Sequence, residues 1–184
     1  VLQENLSGWR KALPKADYTA WSQRIAKGKF AEIASKQGAV ELKSYWDTLP
    51  RKLRHDDAYR AAYIQQLLDQ GMHADAQDLL VEWQKRGPNS ALFPLFTQLN
   101  IPDASLRLLE SWIKQDEENV ELYSTLGQVA FNSGDDVLAE KALLKASKMQ
   151  SRKEDLLLLS AISERKHDTA TALQLYKEGQ QLAS

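Results

Sequence analysis

Between Val120 and Ser151, small and apolar residues recur at intervals that leave few folds open. With Val120 as position 1, Tyr123 stands at 4, Leu126 at 7, Gly127 at 8, Gly134 at 15, Ala139 at 20, Leu143 at 24 and Ala146 at 27. Small residues at positions 8 and 20 let two helix backbones approach closely, while Tyr123, Leu126 and Leu143 fill the space beside them. Asn132-Ser133-Gly134-Asp135 supplies a turn between the two helices. Glycine there tolerates positive φ at the end of the first helix, and Asp135 can cap the second. One position departs from the pattern: Ala130 occupies position 11, and the aromatic Phe131 follows it.

This is the spacing of a tetratricopeptide repeat (TPR), a helix–turn–helix of about 34 residues. A second unit runs from Asp57 to Pro88 in the same frame, with Gly71 at 15, Ala76 at 20, Leu80 at 24 and Pro88 at 32. Its position 8 is Ile64, which predicts helices slightly further apart. A third unit, 153–184, starts at Lys153 and places Leu156, Leu159, Ser160, Ala172, Tyr176 and Gly179 on the pattern. Residues 89–118 read as a degenerate repeat: Pro94 shortens the first helix, and a second helix spans Ala104–Gln115.

Residues 1–56 read as degenerate helical repeats of the same solenoid. Leu2, Leu6, Trp9 and Leu13 share one face of a short helix ahead of Pro14. Asp17–Lys36 carries Tyr18, Trp21, Ile25, Phe30 and Ile33 as core candidates and stops at Gln37-Gly38. Ala39–Thr48 follows with Val40, Leu42, Tyr45 and Trp46. The expected fold is all-α, a right-handed superhelix (α-solenoid) of about ten helices forming one continuous domain. The chain opens on Val1, so the reading expects a processed chain or a fragment, with helices upstream that cover the first apolar edge. The chain also stops without a polar capping helix, so the last helix is expected to expose an apolar stripe, dimerise or be incomplete.

Chemistry is hard to place on this chain. The absence of cysteine removes disulfides, thiolate metal sites and cysteine nucleophiles together, and fits a reducing compartment. A net charge of −1 argues against a nucleic-acid footprint. The longest apolar run, Leu156 to Leu159, is far too short to span a bilayer. His55, His73 and His167 fall at helix starts or turns in separate units, which argues against a metal or haem ligand set. Trp9, Trp21, Trp46, Trp83 and Trp112 are scattered one per helix, a core-packing pattern first and a ligand groove second. Glu117 and Glu118 lie in a loop and not in a paired acid–base geometry. The reading is therefore a non-enzyme, with no metal and no cofactor.

What remains is a surface. In this fold, positions 2, 5, 9, 12 and 13 of each first helix line the concave side. They are Glu121, Ser124, Gln128, Phe131 and Asn132 in the clearest repeat. In the earlier repeat they are Ala58, Ala61, Gln65, Leu68 and Asp69, and in the last Glu154, Leu157, Ala161, Glu164 and Arg165. Mixed polar and apolar groups along a groove suit an extended peptide or a partner helix. They are equally what a merely solvated face would show. The one dense basic run, with Arg51, Lys52 and Arg54, is either a solvated helix start or a second contact site.

From about Leu42 onward the chain resembles the C-terminal region of the proteobacterial HemY family. The resemblance rests on Tyr45-Trp46, the basic run ending in Arg54-His55, the helix pair around Asp75-Ala76-Gln77, and Tyr123-Ser124-Thr125-Leu126-Gly127-Gln128. It also rests on their order: a tryptophan helix, a basic run, a repeat, a proline-bearing degenerate repeat, then Ser-Thr-Leu-Gly-Gln. The resemblance implies two membrane-spanning helices ahead of this region and a bacterial inner-membrane location with the repeats facing the cytoplasm. It further implies a role in a late step of haem biosynthesis, with late haem enzymes such as ferrochelatase or the preceding oxidase as protein partners. The flavin-dependent oxidase that shares the name is a different family, and nothing here resembles a flavin-binding fold. Two alternatives stand beside this reading. One is a regulatory domain that binds haem or porphyrin directly. The other is a generic TPR adaptor of another inner-membrane assembly, such as that of lipopolysaccharide, whose cysteine-bearing rubredoxin-like module has no counterpart here.

Overall fold

The computed structural model describes residues 14–100 and 103–182. The helix expected over residues 1–13 lies outside them. Among the described residues there are ten α-helices, one 3₁₀ turn and no strand. The chain falls into two compact units, Val1–Leu79 and Leu80–Ser184.

The first unit holds α1 (Lys15–Thr48), α2 (Arg51–Arg54), α3 (Asp57–Asp69) and the start of α4 (His73–Trp83). Gly38 breaks α1 with φ 82° and ψ −171°, at the stop the sequence predicts. Asp56 caps α3, its Oδ1 accepting from the Ala58 and Tyr59 amides. The core centres on Phe30, whose ring lies 5.5–6.3 Å from those of Tyr45, Trp46, Tyr59 and Tyr63. Trp46 and Tyr63 stack at 4.5 Å. Two expected core residues are not core. Trp21 is 51% exposed and Val40 76%. The buried stripe of α1 runs through Ser22, Ala26, Phe30 and Ile33 and then Leu42, Trp46 and Leu49. Trp21 sits one residue, about 100°, off that stripe, with the Arg24 guanidinium over its ring.

The second unit carries the remaining repeats. Gln84 is buried and shapes the approach to the degenerate repeat: its amide donates to the Leu80 carbonyl and accepts from the Asn89 amide. A 3₁₀ turn (Ser90–Leu92) and a single helical turn, α5 (Phe93–Phe96), replace the first helix, with Pro94 in the opening turn where a missing N–H costs nothing. Phe93 and Phe96 pack on Trp112 of α6 (Asp103–Ile113). The complete repeats follow as α7 (Val120–Asn132) with α8 (Asp136–Met149), then α9 (Lys153–Arg165) with α10 (Thr169–Gln181). Ala130, Ala139, Leu143, Leu156, Leu159 and Ile162 form a buried cluster joining them. Of the five tryptophans expected in the core, Trp46 and Trp112 are buried, Trp83 is half-buried, Trp21 is not buried, and Trp9 lies outside the described residues. Tyr176, on the pattern at position 24, is 50% exposed because nothing among the described residues covers the outer face of α10, where Leu173 is equally bare.

The three turns within the complete repeats are the same turn. Position 15 has φ 76° at Gly71, 84° at Gly134 and 61° at His167. In each, the amide after it bonds to the carbonyl five residues back: Met72 to Leu67, Asp135 to Ala130, Asp168 to Ser163. This is the Schellman geometry, and it sets the frame of the third repeat independently of side-chain pattern. His167 is the one residue with a Cβ in this left-handed position. Replacing it with glycine is expected to stabilise the protein by about 1 kcal/mol, read as an upward shift in melting temperature.

Candidate interaction groove on the first helices

In the second unit, the 3₁₀ turn, α5 and α7 line a shared cleft of about 240 Å³. Phe93, Pro94 and Thr97 form one wall, and Glu121, Ser124 and Gln128 of α7 form the other. Arg152, just before α9, closes one end. Ser124 and Gln128 are four residues apart, so they stand one above the other on the same side of α7.

A buried carboxylate organises this wall. Asp155, in the first turn of α9, has no exposed surface. Its Oδ1 accepts from Ser124 Oγ at 2.6 Å and from Gln128 Nε2 at 3.5 Å. Gln128 Nε2 also donates to Ser124 Oγ at 3.0 Å. Asp155 Oδ2 has no partner. Burial pushes the Asp155 carboxyl above its ordinary range, and the Ser124 and Gln128 hydrogen bonds only partly oppose this. At the far end of α7, Asn132 Nδ2 donates to the Thr97 carbonyl at 2.5 Å, tying α7 to the end of α5.

The sequence-predicted groove residues are thus placed unequally. Glu121 and Glu164 are exposed, and Gln128 and Ala161 are half-buried. Ser124 is buried and committed to Asp155. Phe131 is half-buried under the Arg165 guanidinium, 4.2 Å from its ring, and Arg165 is itself paired with Asp136 at 2.6 Å. In the first unit, Gln65 and Asp69 bond to each other at 3.0 Å, while Leu68 is buried in the core. Sequence reasoning missed Asp155, Arg152 and Thr97. An acidic residue in a first helical turn reads as complementing the helix dipole. Only the packing of α9 on α7 reveals that this one is buried.

Along the basic run, Arg51 and Lys52 are exposed and Arg54 is half-buried. Arg60 donates from Nε to the Arg54 carbonyl at 2.9 Å and from Nη2 to His55 Nδ1 at 3.2 Å. A guanidinium only donates, so Nδ1 of His55 accepts and its proton sits on Nε2. His73 Nδ1 is buried without a partner, and His167 is exposed on its turn. Among the described residues no three histidine, aspartate or glutamate side chains are grouped to hold a metal ion. No described helix is long and apolar enough to cross a membrane.

No family model matches the chain. Over 154 residues, 83% of its length, it is 26% identical to Protein HemY of Escherichia coli K12, and the same figures hold for HemY of Escherichia coli O157:H7 and of Shigella flexneri. The match covers 39% of those relatives' length. Among solved structures, MamA 41-end from Desulfovibrio magneticus RS-1 aligns with a TM-score of 0.55 and 16% identity, over 88% of this chain and 95% of that one. MamA MSR-1 C2 aligns with a TM-score of 0.52 and 15% identity, over 90% of this chain and 96% of that one. At such identity the structural likeness speaks for the fold, and MamA contains tetratricopeptide repeats. The chain is similar in sequence to part of HemY, and its fold is that of a TPR-like all-α protein.

Proposed function

We propose that this chain is the non-catalytic TPR scaffold of a HemY-type protein, docking protein partners for a late step of haem biosynthesis. In this reading the intact protein is held in the bacterial inner membrane by helices ahead of this region, with the repeats in the cytoplasm. The observation that carries the reading is the first-helix cleft. The Gln128 amide and Ser124 hydroxyl there are held in place by a buried acid, beside the exposed Glu121 carboxylate and an apolar wall of Phe93 and Pro94. Such a surface suits the backbone and one or two apolar side chains of a partner segment. The partners expected are ferrochelatase or the oxidase before it. The test is co-purification of the full-length protein from solubilised membranes: enrichment of either enzyme supports the reading, and consistent absence of both counts against it.

A direct haem or porphyrin site is the competing possibility, and it makes a different prediction. His55 Nδ1 is occupied by Arg60, and the three histidines stand apart. Titration with equimolar haem is expected to leave the Soret band broad and unshifted. A sharp shift, abolished by one His→Ala change, would replace the scaffold reading with a cofactor-sensing one.

A further inference from the structure

A second cleft lies on the other side of α7, between the second helices of successive repeats. It has a volume of about 460 Å³. Ile113 of α6, Leu126 of α7, and Leu138 and Ala142 of α8 make its floor. Its rim carries Lys114, Lys141 and Lys145 against a single acid, Glu110. All four rim residues are exposed, and none makes an ion pair with a described residue. Lys145 Nζ lies 5.9 Å from the ring of Tyr123, which also lines the cleft. Leu138, Lys141, Ala142 and Lys145 follow the spacing of one helix face, so the cleft runs along α8 for about 10 Å, roughly two turns.

The first unit has the equivalent cleft with the opposite sign. It lies against α1, α3 and α4, with a volume of about 210 Å³, and its rim carries Asp47, Asp75 and Asp78 against Lys43. Asp78 and Lys141 both occupy position 22 of their repeats. One site of the repeat has thus been given opposite charge in the two units. Packing of the repeats needs neither sign, because these side chains are exposed.

We infer that the lysine-rimmed cleft of the second unit docks an acidic amphipathic helix of a partner protein, separately from the first-helix groove. The apolar side chains of such a helix, at i, i+3, i+4 and i+7, enter between α6 and α8 over Leu126. Its flanking carboxylates meet Lys114, Lys141 and Lys145. A charge-complementary rim fixes partner choice and speeds encounter more than it adds affinity. The aspartate-rimmed cleft of the first unit rejects the same helix.

The test uses the full chain and two synthetic helical peptides about three turns long, alike except that one carries glutamate and the other lysine beside the leucine stripe. Binding is followed by fluorescence anisotropy. The glutamate peptide is expected to bind, to weaken with added salt, and to lose about tenfold or more in affinity to Lys114→Glu/Lys141→Glu/Lys145→Glu. The lysine peptide is expected to gain affinity for that variant. All three substitutions are at exposed positions, and unchanged helicity by circular dichroism confirms the fold. Equal binding of both peptides, or glutamate-peptide binding unmoved by the charge reversal, overturns the proposal. So does co-sedimentation with phosphatidylglycerol vesicles that the charge reversal abolishes while neither peptide binds, since the occupant is then a lipid surface.

Discussion

Gly127→Leu is expected to lower the melting temperature by about 6–12 °C, the largest stability effect of any single change in the repeats. A Cβ built on Gly127 would lie 2.5 Å from Leu143 Cγ, 2.7 Å from Leu143 Cδ2 and 3.3 Å from the Leu143 backbone nitrogen. The first two distances are closer than real carbon atoms approach. The third is to backbone, which cannot rotate away. Leu143 has no exposed surface and belongs to the cluster that joins α7 and α8 to α9. Overpacking there costs about 3 kcal/mol or more. An internal control exists in Gly28, whose added Cβ would meet nothing within 4 Å. Gly28→Ala should stabilise, by up to about 1 kcal/mol of helix propensity, whereas Gly127→Ala should destabilise. The same substitution is thus expected to have opposite signs at two helical glycines, and thermal melts of the pair decide it. Equal effects at both would mean that α7 and α8 are not in close contact.

Asp155→Ala is expected to have the next largest effect, about 1–3 kcal/mol of destabilisation. It removes the acceptor for the Ser124 hydroxyl, which is 3% exposed and has no ready access to water. Loss of the buried charge offsets part of this, so Asp155→Asn, which keeps an acceptor oxygen, should cost less. The pH dependence separates the two contributions. Burial raises the folded-state pKa of Asp155 above its unfolded value. Between those two values the folded protein holds a proton that the unfolded chain releases, so this group's contribution to stability falls as pH rises through that window. In Asp155→Asn that fall should vanish. Chemical denaturation across the acid range measures it, and an identical pH profile in Asp155→Asn would show that burial does not raise the pKa of this carboxyl.

Much of the repeat architecture was legible because small residues at positions 8 and 20 and a turn at 15 are packing constraints written directly as residue types. Gly127, Ala139, Gly134 and the Asp135 cap all do what the spacing predicts. The third frame was readable for the same reason, even though His167 stands where glycine is expected. Exposure was read less well. Trp21 and Val40 are apolar, and their residue type says nothing of the side of the helix on which each falls, away from the buried stripe. The groove was legible as positions but not as chemistry. Ser124 looks like a free hydroxyl until Asp155, 31 residues later, is seen to accept its hydrogen bond. Likewise, nothing in the residue type of Phe131 foretells that Arg165 covers its ring. Contacts between repeats depend on how consecutive helices pack, and a frame derived from one repeat at a time does not contain them.

The central claim is that a partner is held in the first-helix cleft of the second unit. Glu121 offers the cleanest test, because it is exposed on the cleft wall and a larger side chain there blocks the cleft without entering the core. The measurement is the affinity of the protein for the enzyme recovered by co-purification, with Glu121→Trp compared with charge reversal at Arg51, Lys52 and Arg54. The account predicts that Glu121→Trp weakens capture by about thirtyfold or more while helicity stays unchanged, and that the basic-run variant alters chiefly the association rate and its salt dependence. Full affinity in Glu121→Trp, with binding lost only when the basic run is reversed, would contradict it and move the docking surface to α2.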